Sequence, residues 1–214
     1  MLAIACAAAL YAQAPTAPVV GARGVTNFFR QEPAPGIVGL GGLVQITGLN
    51  LGPVEGAVAS GTPWPMKLAD VQVGIGGRPA PIYSVSRNLI VAQVPVDANA
   101  GLVDVVVRRD SGTSRPARLM VTPLDPAVRT AKDTGYGMPW GSLNGQTLTV
   151  SASGLGVTDP RIEPGDVGPS DTPAAPRAAV IAYVGGLRAK VSAAASSKRP
   201  GEFDVQIQDR KSVV

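Results

Sequence analysis

Histidine is absent from this chain, and cysteine occurs once. Without histidine there is no Ser-His-Asp or Cys-His catalytic set, no imidazole for zinc and no ordinary neutral-pH general base. The one cysteine, Cys6, sits in the apolar run LAIACAAALYA at 2–12. Disulfides within the chain and cysteine-rich metal sites are excluded with it. Aromatic residues make up 4% and charged residues 16% of the sequence, so any core must be filled by Val, Leu, Ile and Ala.

Glycine and proline are abundant instead, at 26 and 20 of 214 residues, beside 45% apolar residues. A disordered chain would be poorer in aliphatics and a helical one poorer in glycine and proline, so many short strands separated by turns are expected. The fold class is therefore all-β. The length suits one large domain or two of about 100 residues each.

The apolar run at 2–12 is followed by Ala12-Gln13-Ala14. That has the form of a secretory signal peptide at 1–14, although a basic leading segment is missing, and it is too short to anchor in a bilayer. Cleavage there leaves a cysteine-free chain outside the cytoplasm, with membrane contact only through the signal segment. Net charge is +4. Nucleic-acid binding needs clustered cations, whereas the only adjacent pairs are Arg108-Arg109, Lys198-Arg199 and Arg210-Lys211. Solvated turns and strand ends account for them, and nucleic acid is not an expected partner.

After a Pro/Ala-rich spacer at 15–23, period-two runs occur at 43–47, 70–75, 80–85, 89–94, 102–107 and 117–122. Runs about a dozen residues apart suit a β-sandwich. A linker follows at 123–139, and then the pattern restarts. Gln146–Val150 takes the place of 43–47, Gly154-Leu155-Gly156 that of Leu51-Gly52, and Val180–Gly186 that of Val71–Gly77. Two copies of one unit are expected, the second carrying an acidic, Pro-rich insertion at Asp159–Pro176.

The stretches GGLVQITGLNLGP at 41–53, VQVGIGGRPAPIYSVSRNLIVAQVP at 71–95 and AGLVDVVVRRDSGTSRPARLMVT at 100–122 resemble an IPT/TIG immunoglobulin-like domain. The opening GVTNFFRQEPAPG at 24–36 is similar to secreted bacterial proteins carrying such domains. The resemblance implies two tandem IPT/TIG β-sandwiches, one at 24–122 and a truncated one at 140–208. The second copy ends before any counterpart of 102–122. The closing Asp209–Val214 (DRKSVV) reads as the translation of a sequencing adapter.

Gly74-Ile75-Gly76-Gly77 lacks the Lys-Ser/Thr and helix of a phosphate loop, so it reads as a hairpin turn. Gly48, Gly52, Gly76, Gly77, Gly185 and Gly186 are accordingly expected to be structural turn residues. Asp159, Glu163, Asp166 and Asp171 fit no EF-hand and read as a solvated loop. Asp104 and Asp204 are equivalent if GLVD is aligned with GEFD, but 203–208 also aligns with 89–95. Neither arrangement pairs carboxylates across one cleft. Trp64 and Trp140, the two tryptophans, are the candidate ligand residues, because an exposed indole can stack on a sugar ring. No catalytic residue, metal site or cofactor is expected. The composite expectation is a non-catalytic interaction or spacer module of a larger bacterial surface or secreted protein, its partner a protein or a polysaccharide. The alternative is a carbohydrate-binding accessory region of a secreted polysaccharide-acting enzyme.

Overall fold

The structure, a computed structural model, describes residues 16–30, 35–132 and 136–208. The expected signal peptide and the adapter-like 209–214 lie outside the described residues. Among the described residues every regular element is a strand, and no helix is long and apolar enough to cross a membrane.

The first unit opens with β1 (Val19–Asn27), β2 (Ile37–Gly39), β3 (Leu43–Leu49), β4 (Ala57–Val58), β5 (Lys67–Leu68) and β6 (Val71–Ile75). It continues through β7 (Arg78–Ala80), β8 (Ile82–Val85), β9 (Leu89–Gln93), β10 (Gly101–Arg109), β11 (Gly112–Thr113) and β12 (Ala117–Thr122). One sheet runs β1-β3-β9-β8-β4 and the other β2-β12-β10-β6-β5, with β7 and β11 added to β6 and β10. Alternation sends Val44, Ile46, Ile82, Ile90 and Ala92 of the first sheet inward against Val71, Val73, Ile75, Val105, Val107, Leu119 and Val121 of the second. All are buried. Each such side chain contributes about 1.5–3 kcal/mol on leaving water, and this core carries most of the fold. The spacer expected at 15–23 is partly strand, because β1 begins at Val19 and bulges between Val20 and Val25.

The second unit comprises β13 (Ala127–Val128), β14 (Gly141–Asn144), β15 (Thr147–Ser153), β16 (Thr158–Asp159) and β17 (Ala175–Pro176). After these come β18 (Tyr183–Val184), β19 (Leu187–Arg188), β20 (Lys190–Ala195) and β21 (Glu202–Gln208). Its main sheet runs β13-β15-β21-β20, with β14 also on β15, and β16-β17 and β18-β19 form separate two-stranded ribbons. This order reproduces β1-β3-β9-β8. β15 pairs β21 through Leu148↔Ile207 and Val150↔Val205, as β3 pairs β9 through Val44↔Ala92 and Ile46↔Ile90. β21 is thus the counterpart of β9, with Val205 and Ile207 in the places of Ile90 and Ala92, so Asp204 is not equivalent to Asp104.

β13 and β14 together replace β1. Gly141, Ser142 and Leu143 face Val150, Thr149 and Leu148 as Val25, Thr26 and Asn27 face Ile46, Gln45 and Val44. Where β1 has a bulge, the second unit has the excursion 129–140, closed by Trp140 N–H donating to the Arg129 carbonyl at 2.7 Å. The stretch expected to be a linker at 123–139 therefore supplies part of an edge strand. In the second unit no counterpart of 102–122 was expected. The β18–β19 ribbon stands where β6–β7 stands, but among the described residues no strand takes the places of β10 and β12.

Candidate functional site

The two units meet along the β3–β9 end of the first and the β15–β21 end of the second. Leu43 N–H donates to Ser153 Oγ at 3.1 Å, and that hydroxyl donates to the Gly201 carbonyl at 2.8 Å. Gln93 is the hinge pin. Its buried amide donates to the Gly41 carbonyl at 3.0 Å, and its Oε1 accepts from Gly165 N–H at 2.6 Å. Gly165 also accepts from Trp64 N–H at 2.8 Å, so the insertion at 159–176 reaches back to the first unit. Asp159, Glu163 and Asp171 of that insertion are exposed and Asp166 is half-buried, while Gly165 and Gly168 between them are buried. Asp166 and Asp171 accept from the following amides, Val167 and Thr172. Among the described residues no cluster of His, Cys, Asp and Glu suited to a metal ion occurs.

Beside this seam lies a cleft of about 330 Å³, lined among others by Phe28, Trp64, Tyr83, Arg129, Arg199 and Glu202. Its floor is aromatic. The Trp64 and Tyr83 rings lie 5.1 Å apart and tilted at 38°. Trp64 is only 8% exposed and packs with Phe29, Leu43 and Ala127 where the units meet. Its ring therefore gives the interface structure rather than a free stacking face, and the exposed aromatic face of the cleft is Tyr83. Trp140 is exposed, with the Arg129 guanidinium 5.4 Å from its ring and 5.6 Å from Phe29. The excursion 129–140 thus brings Trp140 to the margin of the cleft through Arg129. The two expected ligand residues share this region, one buried and one open.

Glu202 is the one carboxylate among the lining residues. It accepts from Ser151 Oγ and pairs with Arg199 at 2.8 Å and Arg129 at 3.6 Å. Burial raises its pKa above the usual carboxylate range, against the lowering effect of the Ser151 hydrogen bond and the two guanidinium groups. A single carboxylate clamped in this way has no second acid across the cleft to form a glycosidase pair. Arg129, Lys198 and Arg199 leave the rim cationic. Neither Glu202 nor Gln93 could be singled out from sequence, because each acts across a chain separation that only the fold closes.

Gly76 and Gly77 join β6 to β7 and Gly185 and Gly186 join β18 to β19, whereas Gly48, expected in a turn, lies within β3. Gly76, Gly77, Gly185 and Gly186 have φ of 58°, 79°, 56° and 81°, which is the paired left-handed geometry of a two-residue hairpin turn. Gly48 and Gly52 are needed for another reason. A Cβ there would sit 2.0 Å from the Val19 carbonyl oxygen or 2.8 Å from that of Ser86.

Two facing sheets, antiparallel except for the parallel β2–β12 pair, around one aliphatic core define the first unit as an immunoglobulin-like sandwich. Residues 30–119 match the family model of the IPT/TIG domain. The first unit is thus an IPT/TIG domain, preceded by β1 and followed by a second unit outside the matched segment. A search of curated proteins finds no match to the chain.

Proposed function

We propose that this chain is a non-catalytic interaction or spacer module acting outside the cytoplasm, at a bacterial surface or in secreted form. The observation that carries the reading is the seam between the units. Gln93, Gly165, Trp64 and Ser153 join an IPT/TIG domain to a second sheet by buried hydrogen bonds, so the pair presents its surfaces in fixed relation. An IPT/TIG domain is a generic module without catalytic groups of its own, and the cleft holds one ion-paired carboxylate. The apolar run before Ala12-Gln13-Ala14 and the cysteine-free remainder support export. Fusing residues 1–23 to a phosphatase that is active only outside the cytoplasm tests it. Activity that disappears when 2–12 is deleted is expected; a fusion inactive in intact cells contradicts export.

A second reading is favoured by the exposed Tyr83 ring under a cationic rim, a surface suited to an acidic polysaccharide in an accessory region of a polysaccharide-acting enzyme. Tyr83→Ala is expected to weaken binding to acidic glycans by about tenfold, roughly the worth of one aromatic contact. Absence of binding across neutral and acidic glycans removes this reading.

A further inference from the structure

The cleft beside the seam takes its lining from both units. Tyr83 and the loop 59–62 come from the first, Lys198 and Arg199 from the second. The Tyr83 ring is exposed, and the buried Trp64 ring 5.1 Å away holds it in place. The loop is tied to the same strand, because Ala59 N–H donates to the Tyr83 carbonyl at 2.8 Å. Ser60 and Thr62 are exposed on it, and neither hydroxyl has a partner among the described residues. The second unit sets three cations, Arg129, Lys198 and Arg199, against the single carboxylate of Glu202. Glu202 pairs with the two arginines and leaves Lys198 exposed, with no acidic partner among the described residues. Arg199 Nε is buried and lies 2.8 Å from Glu202 without a hydrogen bond to it, so its five-donor fork has capacity for a second anion.

We propose that this cleft binds one acidic sugar unit of a glycan chain, its ring face on Tyr83, its hydroxyls bonded to Ser60 and Thr62, and its anionic substituent held by Lys198 and Arg199. A sugar ring has an apolar face and a polar edge, so its recognition needs an aromatic plane with hydrogen-bonding groups beside it. The charge on the ligand follows from the excess of cations. A neutral ring would cover Lys198 without replacing the water that solvates its ammonium, whereas a carboxylate or sulfate gives it a charge-assisted hydrogen bond. The cleft volume of about 330 Å³ lies at the small end of ligand sites, roughly 300–1,000 Å³, so the rest of the chain runs out over the surface. Because the ring rests on one unit and its charge on the other, occupancy holds the two units together across the seam. The inference deepens the polysaccharide reading above and rests on it.

Three oligosaccharides of matched length, titrated into the full chain by calorimetry, serve as probes: an oligogalacturonate carrying carboxylates, a sulfated galactan and a neutral galactan. Binding of an acidic probe at least about tenfold tighter than the neutral one is expected, and the tighter of the two acidic probes identifies the anion as carboxylate or sulfate. Lys198→Ala lowers that affinity by about tenfold and flattens its dependence on salt, while Lys198→Arg retains both. Ser60→Ala combined with Thr62→Val weakens binding severalfold and leaves the salt dependence as it was. All three positions are exposed, so the variants keep the fold. Equal affinity for neutral and acidic probes overturns the proposal, as does acidic binding that survives Lys198→Ala, because the glycan then sits elsewhere. Either outcome leaves the polysaccharide reading standing. Failure of every probe to bind removes both.

Discussion

A glycine is legible in sequence when its reason is local. Gly76-Gly77 and Gly185-Gly186 interrupt apolar strands as turn dipeptides do, and their positive φ values follow from hairpin geometry. Gly165 is different. Its reason is the Trp64 backbone, which a Cβ would approach to 2.9 Å at a φ of +85°, and Trp64 lies about a hundred residues away. Gly165→Ala is expected to destabilise the chain by about 2 kcal/mol, through left-handed strain and displacement of the seam. Urea unfolding reads it, and an unchanged midpoint would show that the insertion is not held there. Glu202 was illegible for a similar reason, since its burial and its pairing with Arg129 need the fold. With its pKa raised by burial, the folded chain holds this proton more tightly than the unfolded one. The stabilisation is complete below the unfolded carboxylate pKa and is lost as pH rises through the higher folded value. Glu202→Gln cannot ionise, so relative to wild type it should gain stability between about pH 4 and about pH 7. Thermal scans at both values test this, and parallel pH dependence in the two proteins contradicts it.

Among the elements, those with clean alternation were readable. Of the runs expected at 43–47, 70–75, 89–94 and 117–122, all but the end residues Asp70 and Val94 are strand, because period-two apolar patterning is what a half-buried sheet requires. Where patterning breaks, the reading failed. The bulge in β1 hides it inside a Pro/Ala-rich stretch, and the excursion 129–140 splits its counterpart into β13 and β14. β21 was ambiguous because one apolar run of its length suits either of two strands of the parent pattern; only its pairing with both β15 and β20 resolves it. The difference in covering between the units has an energetic consequence. Val44→Ala should cost about 2 kcal/mol in a sealed core, whereas Leu148→Ala, though it removes more atoms, should cost about 1 kcal/mol or less at a half-open position. Denaturant titration of the two variants orders them, and a larger loss at Leu148 would mean that its face is covered.

For the molecule as a whole, composition pointed to strands and the internal repeat to two units, but no pattern in the sequence marks a seam. Polar residues such as Gln93 and Ser153 look like ordinary strand positions until both units are placed. Because Gln93 bonds to Gly41 and to Gly165, Gln93→Ala removes the side-chain bridge across the seam and leaves the buried Gly165 amide unpaired. Scanning calorimetry should resolve two transitions in this variant where wild type shows stronger coupling; unchanged traces would mean that the units are joined by other contacts. The central claim is a sealed IPT/TIG sandwich locked to a second unit with one face open. Hydrogen exchange on the full chain tests it most directly. The account predicts strong protection at 71–75 and 43–47, less at 147–150, and little at 180–184, in the order in which covering strands are lost. Protection at 180–184 equal to that at 71–75 would contradict it.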